Sequence, residues 1–457
     1  MRRTSFACAA LAGAGLAMAA AAATAVDSHA NGRPPATTNV RFGPDTETIY
    51  LPVTFGLLKS NDGGGTFQWV CEVAIGYGGV FDPDYAVAPD GSIYATTFEG
   101  LRVSHSGGCN WEATKGLTED MFVSEVEVGS DGRVWAATST GGGPNNVYVS
   151  EDGANFVESN LPEEKAWWTT LRVAPGKPDV IYATGFLPQD TTTTEAALLR
   201  RSDDGGATWN ELPLTDFQFG DHPTFYLEDV SPTDEKVVFL RVAGAVEPAG
   251  DALYRSEDAG ETWTKVLEFS TSISAFHIRP DGQTVIAATI DACAGDPDPA
   301  AKGCVQISSK AGAEGSWAPA EQQPRLACIG ERSDGVLYGC GANWEPDNFA
   351  LGKSQDGQTW EKVFRFSETV GPLECEGDSA QAECAATTWP TLCVMFGICA
   401  GPDAGPMAQD GGGLSGDGDG GGGDGGCCRV GGGSDASWVP GLVVVLFGLA
   451  WRGRKRR

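Results

Sequence analysis

The chain has 457 residues, with 31 Lys and Arg against 61 Asp and Glu, and a formal net charge of −30. A body this acidic repels phosphate backbones, which excludes nucleic-acid binding as its function. Hydrophobic residues make up 41% of the chain, so a sizeable core can form. The length allows two or three ordinary domains or one closed β architecture assembled from repeats.

The first 30 residues have the composition of a secretory signal peptide. Met1-Arg2-Arg3 is followed by an Ala/Leu-rich stretch from Phe6 to Ala23. Small residues then offer two cleavage sites, Ala23-Thr24-Ala25 and Ser28-His29-Ala30. We therefore predict that residues 1–30 are a signal peptide and that the protein is exported.

A short motif of the form S-x-D-x-G-x-T-W recurs along the chain and is here called the repeated turn. Its copies are spaced roughly 44 to 54 residues apart. Three are clear, two are one residue shorter and two are degenerate: Ser60–Phe67, Ser202–Trp209 and Ser256–Trp263; Ser150–Phe156 and Ser354–Trp360; Ser104–Trp111 and Ser309–Trp317.

Each repeated turn lies within a period of four strand-like runs. One run ends in a polar turn, and a second follows, as in Ile93-Tyr94-Ala95-Thr96 or Val134-Trp135-Ala136-Ala137. A third leads into the repeated turn and a fourth leaves it. Short runs rich in Val, Ile, Tyr and Trp, with turn residues between them, are typical of propeller blades. We predict an all-β fold, a seven-bladed β-propeller of four-stranded blades spanning residues 39–366. No strand exchange that would close the ring is evident.

The repeated Asp has a structural explanation. Its carboxylate can accept backbone N–H groups across the turn, while Gly supplies positive φ. Acidic residues spaced about 50 positions apart around a rim do not converge on one ion, so we expect neither a metal nor a dedicated cofactor. The structural Asp residues are Asp62, Asp152, Asp204, Asp258 and Asp356.

Ten cysteines lie outside the two ends of the chain, an even number that indicates disulfides in an exported protein. Cys293 and Cys304 bracket one long loop, and Cys328 and Cys340 lie on successive strands, so we expect these two pairs to bond. Cys71 and Cys109 are then left to each other. Residues 367–400 are too few for a core of their own. They carry four cysteines that predict an appendix with two disulfides: Cys375, Cys384, Cys393 and Cys399.

The C-terminus combines three parts. A Gly/Asp-rich linker, residues 401–437, contains Cys427-Cys428. Residues 438–457 form an apolar stretch predicted as a helix, followed by an Arg-rich tail. This order resembles the C-terminal sorting signals of myxobacterial surface proteins. The resemblance implies processing near the Cys motif by sorting machinery, membrane contact at least transiently, and retention at the outer cell surface. A plain membrane anchor is the alternative.

The repeated turns resemble those of the Asp-box, or BNR, propellers, which include sialidases, certain β-glucan hydrolases, sortilin-type receptors and a photosystem assembly factor. The resemblance implies the fold and says little about activity. Sialidases gather three arginines opposite the Asp-box turns. Here Arg41 and Arg172 occupy the same position on their predicted innermost strands, near the repeated turns. This position favours the interpretation that both arginines are cations paired with nearby acidic residues. No catalytic residue is therefore assigned.

The loops opposite the repeated turns carry many aromatic residues, which suit protein or carbohydrate recognition. The ligand-binding candidates among them are Trp167, Trp168, Phe219, His222 and Trp344. The alternative is that several of these residues, especially Trp168, cap the hydrophobic core. The leading hypothesis is a non-catalytic, surface-retained module that binds a protein or polysaccharide. A sialidase-like or other glycan-cleaving glycoside hydrolase is the alternative, and a structural envelope component is the third.

Overall fold

The computed structural model describes residues 34–79, 81–117, 121–161, 163–189, 195–217, 219, 224–246, 250–297 and 302–399. The predicted signal peptide, the Cys427-Cys428 motif and the C-terminal helix lie outside the described residues. Within these ranges the chain forms seven sheets, each built on four antiparallel strands in chain order, and the first sheet gains a fifth strand. The protein is thus a seven-bladed β-propeller, as the sequence predicts.

The first three blades contain strands β1 to β12. They are β1 (Arg41–Phe42), β2 (Ile49–Val53), β3 (Gly56–Ser60), β4 (Gln68–Val70), β5 (Tyr85–Val87), β6 (Ile93–Thr97), β7 (Gly100–Ser104), β8 (Glu112–Ala113), β9 (Val123–Val128), β10 (Val134–Thr138), β11 (Val147–Ser150) and β12 (Val157–Glu158). A short helix α1 (Glu72–Ile75) links the first blade to the second.

Blades four to seven contain strands β13 to β28. They are β13 (Trp167–Val173), β14 (Ile181–Leu187), β15 (Ala196–Ser202), β16 (Asn210–Glu211), β17 (Phe225–Val230), β18 (Val238–Val246), β19 (Gly250–Ser256), β20 (Thr264–Glu268), β21 (Ile273–Ile278), β22 (Val285–Thr289), β23 (Cys304–Ser308), β24 (Trp317–Pro319), β25 (Cys328–Glu331), β26 (Leu337–Cys340), β27 (Leu351–Ser354) and β28 (Glu361–Phe364).

The second strand of most blades is completely buried. In β2, β6, β10 and β22 every residue is buried. These strands are rich in Val, Ile, Ala and Thr because both of their faces pack against neighbouring blades. The outermost strands β8, β12 and β16 are short and exposed.

The hydrophobic core is divided among the seven junctions between blades. Tyr94 of blade two packs with Val126 of blade three, and Trp135 of blade three packs with Leu171 of blade four. The other described clusters likewise join consecutive blades, and one joins blade seven to blade one. Every blade therefore depends on both of its neighbours.

The repeated turns have a common hydrogen-bond pattern. In the first, Asp62 Oδ1 accepts from the backbone N–H of Thr66 at 2.9 Å, and Asp62 Oδ2 accepts from the Thr66 hydroxyl at 2.8 Å. Ser60 Oγ donates to Asp62 and accepts from the N–H of Gly64. Asp204 and Asp258 repeat the pattern. In the shorter copies, Asp152 and Asp356 accept backbone N–H groups within their own turns.

Glycine is needed in these turns for two reasons. Gly64 has φ of 97°, and a Cβ there would lie 3.0 Å from Val363 of blade seven. Gly206 has φ of 80°, and a Cβ there would lie 3.2 Å from the Trp135 ring of blade three. The turn thus combines a left-handed backbone with close packing on the preceding blade.

A strap after blade seven closes the ring. A 3₁₀ turn (Phe366–Glu368) leads to β29 (Gly371–Pro372), which pairs in parallel with β4 as a fifth strand of blade one. Two helices, α2 (Ala380–Thr387) and α3 (Trp389–Met395), follow. Buried Gln381 fixes α2, because its Nε2 donates to Trp69 O and its Oε1 accepts from Cys71 N, both at 2.8 Å.

Two of the predicted disulfide assignments are wrong. Cys71 bonds to Cys384, and Cys109 bonds to Cys375, so Cys71 and Cys109 are not paired with each other. The appendix contains one internal disulfide, Cys393–Cys399, instead of two. The reason is that the strap runs from blade one to the repeated turn of blade two, which brings its cysteines to those blades. The expected pairs Cys293–Cys304 and Cys328–Cys340 are both present.

Removing the strap disulfide should destabilise the protein more than removing the local one. With Cys71–Cys384 intact, Cys109–Cys375 closes a loop of roughly 50 residues, which corresponds to about 4 kcal/mol of chain entropy. The Cys393–Cys399 loop has a sequence separation of 6, which corresponds to about 2 kcal/mol. Guanidinium unfolding of the two Cys→Ser double variants measures both losses. An equal or smaller loss for the Cys109/Cys375 variant would contradict the role of the strap.

Candidate functional site

Two regions of the propeller are candidates for function. One is the central channel, which is surrounded by the seven innermost strands and has a volume of about 510 Å³. The other is the face opposite the repeated turns, here called the distal face. It is formed by the loops that join blades and by the loops between second and third strands.

The channel carries charged residues at one common level. Arg41, Glu127, Arg172, Asp229 and His277 each lie one position before the last paired residue of their innermost strand. The shared register predicted for Arg41 and Arg172 is therefore present. Five blades contribute a polar or charged group to one belt near the repeated-turn end.

The two arginines join neighbouring blades in the same way. Arg41 Nε donates to Tyr85 O of blade two at 2.5 Å, and Arg172 Nε donates to Glu228 O of blade five at 2.9 Å. Each guanidinium also meets carboxylates, which for Arg41 is Asp84 at 3.1 Å. The two arginines are thus cations paired with nearby acids, as the register indicated.

Arg172 faces an excess of negative charge. It forms an ion pair with Glu125 and lies 3.6 Å from Glu127, with both side chains less than one quarter exposed. Burial raises the pKa of Glu125, and Arg172 offsets this only in part. Burial likewise raises the pKa of Glu127 to about 8, although the N–H of Val173 donates to this carboxyl at 3.0 Å. Glu127 is therefore able to hold a proton at neutral pH.

The pKa values of two other channel carboxyls also depend on burial and hydrogen bonds. Burial raises the pKa of Asp229, whose carboxyl accepts the N–H of Val230 at 2.8 Å. His277 Nε2 lies 3.0 Å from Glu331 Oε2, and Arg279 Nη2 lies 3.0 Å from Glu331 Oε1, so blade six is joined to blade seven. These hydrogen bonds lower the pKa of Glu331 against the opposing effect of burial. The channel charges mainly join blades.

The distal face has a cluster of three aromatic residues, of which Phe98 is exposed and the other two are partly buried. Phe98 is 56% exposed and stacks on Phe122 with ring centroids 4.8 Å apart. Phe81 lies 4.6 Å from Phe98 and 5.7 Å from Phe122. Phe98 sits at the tip of the β6–β7 turn and was not singled out in the sequence. The only sequence signal for Phe98 is its position directly after Thr97, at the end of a buried strand.

The predicted ligand-binding residues have different surroundings. Trp167 is partly exposed and packs 5.5 Å from Phe186 at the distal end of β13. Trp168 is completely buried between blades three and four, so its selection as a ligand contact was wrong. Consecutive strand residues point to opposite sides of the sheet, so Trp167 and Trp168 have different surroundings.

Phe219 is partly exposed and packs against the tilted rings of Phe217 and Phe225. His222 lies outside the described residues.

Trp344 is the most exposed of the predicted ligand-binding residues that the structure describes. It is 55% exposed, lies in the β26–β27 loop, and meets Phe366 edge-on at 6.2 Å. Helix α3 comes to the same region, because Phe396 packs against both Phe55 and Phe366. Met395, 50% exposed, is a second apolar side chain here that the sequence did not reveal. The β26–β27 loop and helix α3 are separate in sequence and meet only in the folded chain.

Two kinds of feature are absent from the described ranges. No helix there is long and apolar enough to cross a membrane. No group of three or more His, Cys, Asp or Glu side chains there is arranged to hold a metal ion.

Comparison with known proteins gives likenesses in fold. No family model matches the chain, and no curated protein matches it. The structure resembles the GH74 xyloglucanase from Xanthomonas campestris, with 15% identity, a TM-score of 0.36, and 74% of this chain and 65% of that chain covered. The chain thus spans just under two thirds of the xyloglucanase. It also resembles the GH74 enzyme of Niastella koreensis, with 14% identity, a TM-score of 0.28, and 72% of each chain covered.

A third likeness is to YCF48 bound to D1 peptide, with 14% identity, a TM-score of 0.42, and 67% of this chain and 90% of that chain covered. Likenesses at this level concern the fold alone and assign no ligand or activity to this protein.

The raised pKa of Glu127 predicts a pH-dependent stability that a Gln variant lacks. The folded-state pKa, about 8, exceeds the reference value of 4.5. The carboxyl therefore contributes fully below the unfolded pKa and loses its contribution as pH rises through the folded pKa. Between about pH 5 and pH 9, wild type should lose on the order of 1–3 kcal/mol of unfolding free energy relative to Glu127→Gln.

Urea unfolding at the two pH values measures this difference. Gln keeps an oxygen to accept the Val173 N–H. Exposed Glu151, changed to Gln, is the matched control and should follow wild type. Parallel pH profiles for wild type and Glu127→Gln would contradict the raised pKa.

Proposed function

We propose that the protein is an exported, cell-surface-retained propeller of the Asp-box type that binds a protein or a polysaccharide through its distal face without catalysis. The observation that carries the proposal is the placement of exposed aromatic residues. Phe98 and Trp344, each more than half exposed, both lie on the distal face. Exposed aromatic side chains that are held by neighbouring rings are typical anchors of binding surfaces.

Two further features support the proposal. The described part of the chain holds five disulfides, which persist in oxidising compartments outside the cytosol. The Ser–Asp–Gly–Thr hydrogen bonds of the repeated turns agree with the structural purpose of the Asp-box. Retention at the surface rests on the C-terminal sequence pattern.

A glycan-cleaving enzyme is the second candidate, and one observation favours it. Glu127, with a pKa of about 8, lines the channel beside Arg172 and would be a proton donor at neutral pH. Its bonds to Arg172 and Val173 also have a structural purpose, because they join blade three to blade four. Release of reducing ends from a polysaccharide by wild type, abolished in Glu127→Gln, would establish catalysis and contradict a non-catalytic module.

The distal face can be tested with the full-length protein and the envelope fraction of the producing cells. Wild type should bind the immobilised fraction, and the Phe98→Ser/Trp344→Ser double variant should bind about tenfold more weakly or worse, because two aromatic anchors are lost. Treating the fraction with protease or with periodate identifies the ligand as protein or polysaccharide.

Val157→Ser is the matched control. Val157 is 62% exposed but lies on the outer strand β12, away from the distal face. It should bind like wild type. Equal binding by the double variant and wild type, or no binding by wild type, would contradict the proposed function and favour a structural envelope component.

A further inference from the structure

A cavity of about 260 Å³ lies between the Trp344 loop and helix α3. Trp344, Met395 and Phe396 form its apolar side, and Asn343 and Arg365 are among its polar residues. The propeller supplies one wall and the appendix supplies the other. The cavity therefore exists only because the strap returns the chain to the distal side of blades one and seven.

Asn343 is a buried polar residue with an unused donor. Its side chain is only 8% exposed, and its Oδ1 accepts the N–H of Phe366 at 2.8 Å. This bond fixes the amide and leaves its NH₂ group without a protein acceptor in the described ranges. A donor of fixed orientation at a cavity wall, with no protein acceptor, is available to a ligand oxygen.

Arg365 adds a second donor. Its Nε donates to Asn348 O, which holds the side chain against the same loop. Among the described residues Arg365 forms no ion pair, and it is one of the residues that line the cavity. Two fixed N–H donors beside an exposed indole ring are complementary to a ring-shaped ligand with an apolar C–H face and oxygen atoms at its edge.

We propose that this cavity binds a pyranose ring of a polysaccharide, with the sugar stacked on Trp344 and its oxygens bonded to Asn343 and Arg365. The cavity accommodates a small group, whereas a stable protein partner needs a contact area several times larger. The C–H face of a pyranose is complementary to the negative face of an indole. This inference rests on the proposed function and selects polysaccharide over protein as its ligand.

The test uses the full-length protein with cellohexaose, xylohexaose, mannohexaose and maltohexaose, monitored by tryptophan fluorescence and calorimetry. Wild type should bind at least one of these oligosaccharides. Trp344→Ala should weaken binding by about tenfold or more, and Trp344→Phe should restore most of it. Asn343→Asp keeps the acceptor for the Phe366 N–H but removes the NH₂ donor, so it should also weaken binding.

Val157→Ser is again the matched control, because Val157 is 62% exposed but lies on the outer strand β12, away from the distal face. It should bind like wild type, and all variants should melt within a few degrees of wild type. Loss of binding in Phe98→Ala with retention in Trp344→Ala would overturn this inference and leave the proposed function standing. Failure of wild type to bind any of the four oligosaccharides would also overturn it, while protease-sensitive binding to the envelope fraction would still uphold the proposed function.

Discussion

Every blade of this propeller buries both of its faces against neighbours, so the ring holds only if all seven junctions close. Six junctions are maintained by chain continuity, but blades seven and one are far apart in sequence. Contacts from both the N-terminal and the C-terminal parts of the described chain close this junction. Thr37 donates to Ala350 O of blade seven, and Arg332 of blade seven donates to Thr46 O of blade one at 2.8 Å. The strap then adds β29 to blade one and a disulfide to blade two.

The same constraint explains the channel. The innermost strands of different blades have no ladder hydrogen bonds with one another, so side chains must join them. Arg41, Arg172 and the Glu331 cluster do this by bonding to backbone or carboxyl groups of the next blade. The cost is a group of carboxyls with raised pKa values around Arg172. Because these charges join blades, we place the proposed ligand contacts on the distal face.

The sequence predicts the repetitive part of the fold well, because seven turns and their flanking runs obey the same local chemistry. It does not predict the strap, because Gly371–Pro372 is two residues long and carries no strand pattern. Cysteine spacing favours nearby partners, as for Cys293–Cys304, and misses Cys71–Cys384, whose sequence separation is 313. Trp167 and Trp168 look equivalent in sequence, yet only one is exposed. The cavity beside Trp344 needs Met395 and Phe396 of α3, and only the folded chain brings them there.

In the proposed function the ligand contacts the distal face, whereas the channel charges hold the ring together. Hydroxyl-radical footprinting of the full-length protein, with and without bound envelope ligand, distinguishes these two regions, since aromatic and Met side chains report their own exposure. We expect protection of exposed distal residues, Trp344 and Met395 above all, with no change at the partly exposed Phe42 and Phe276 in the channel. Protection confined to the channel residues would overturn this proposal and place the functional site among the Glu125, Glu127 and Arg172 side chains.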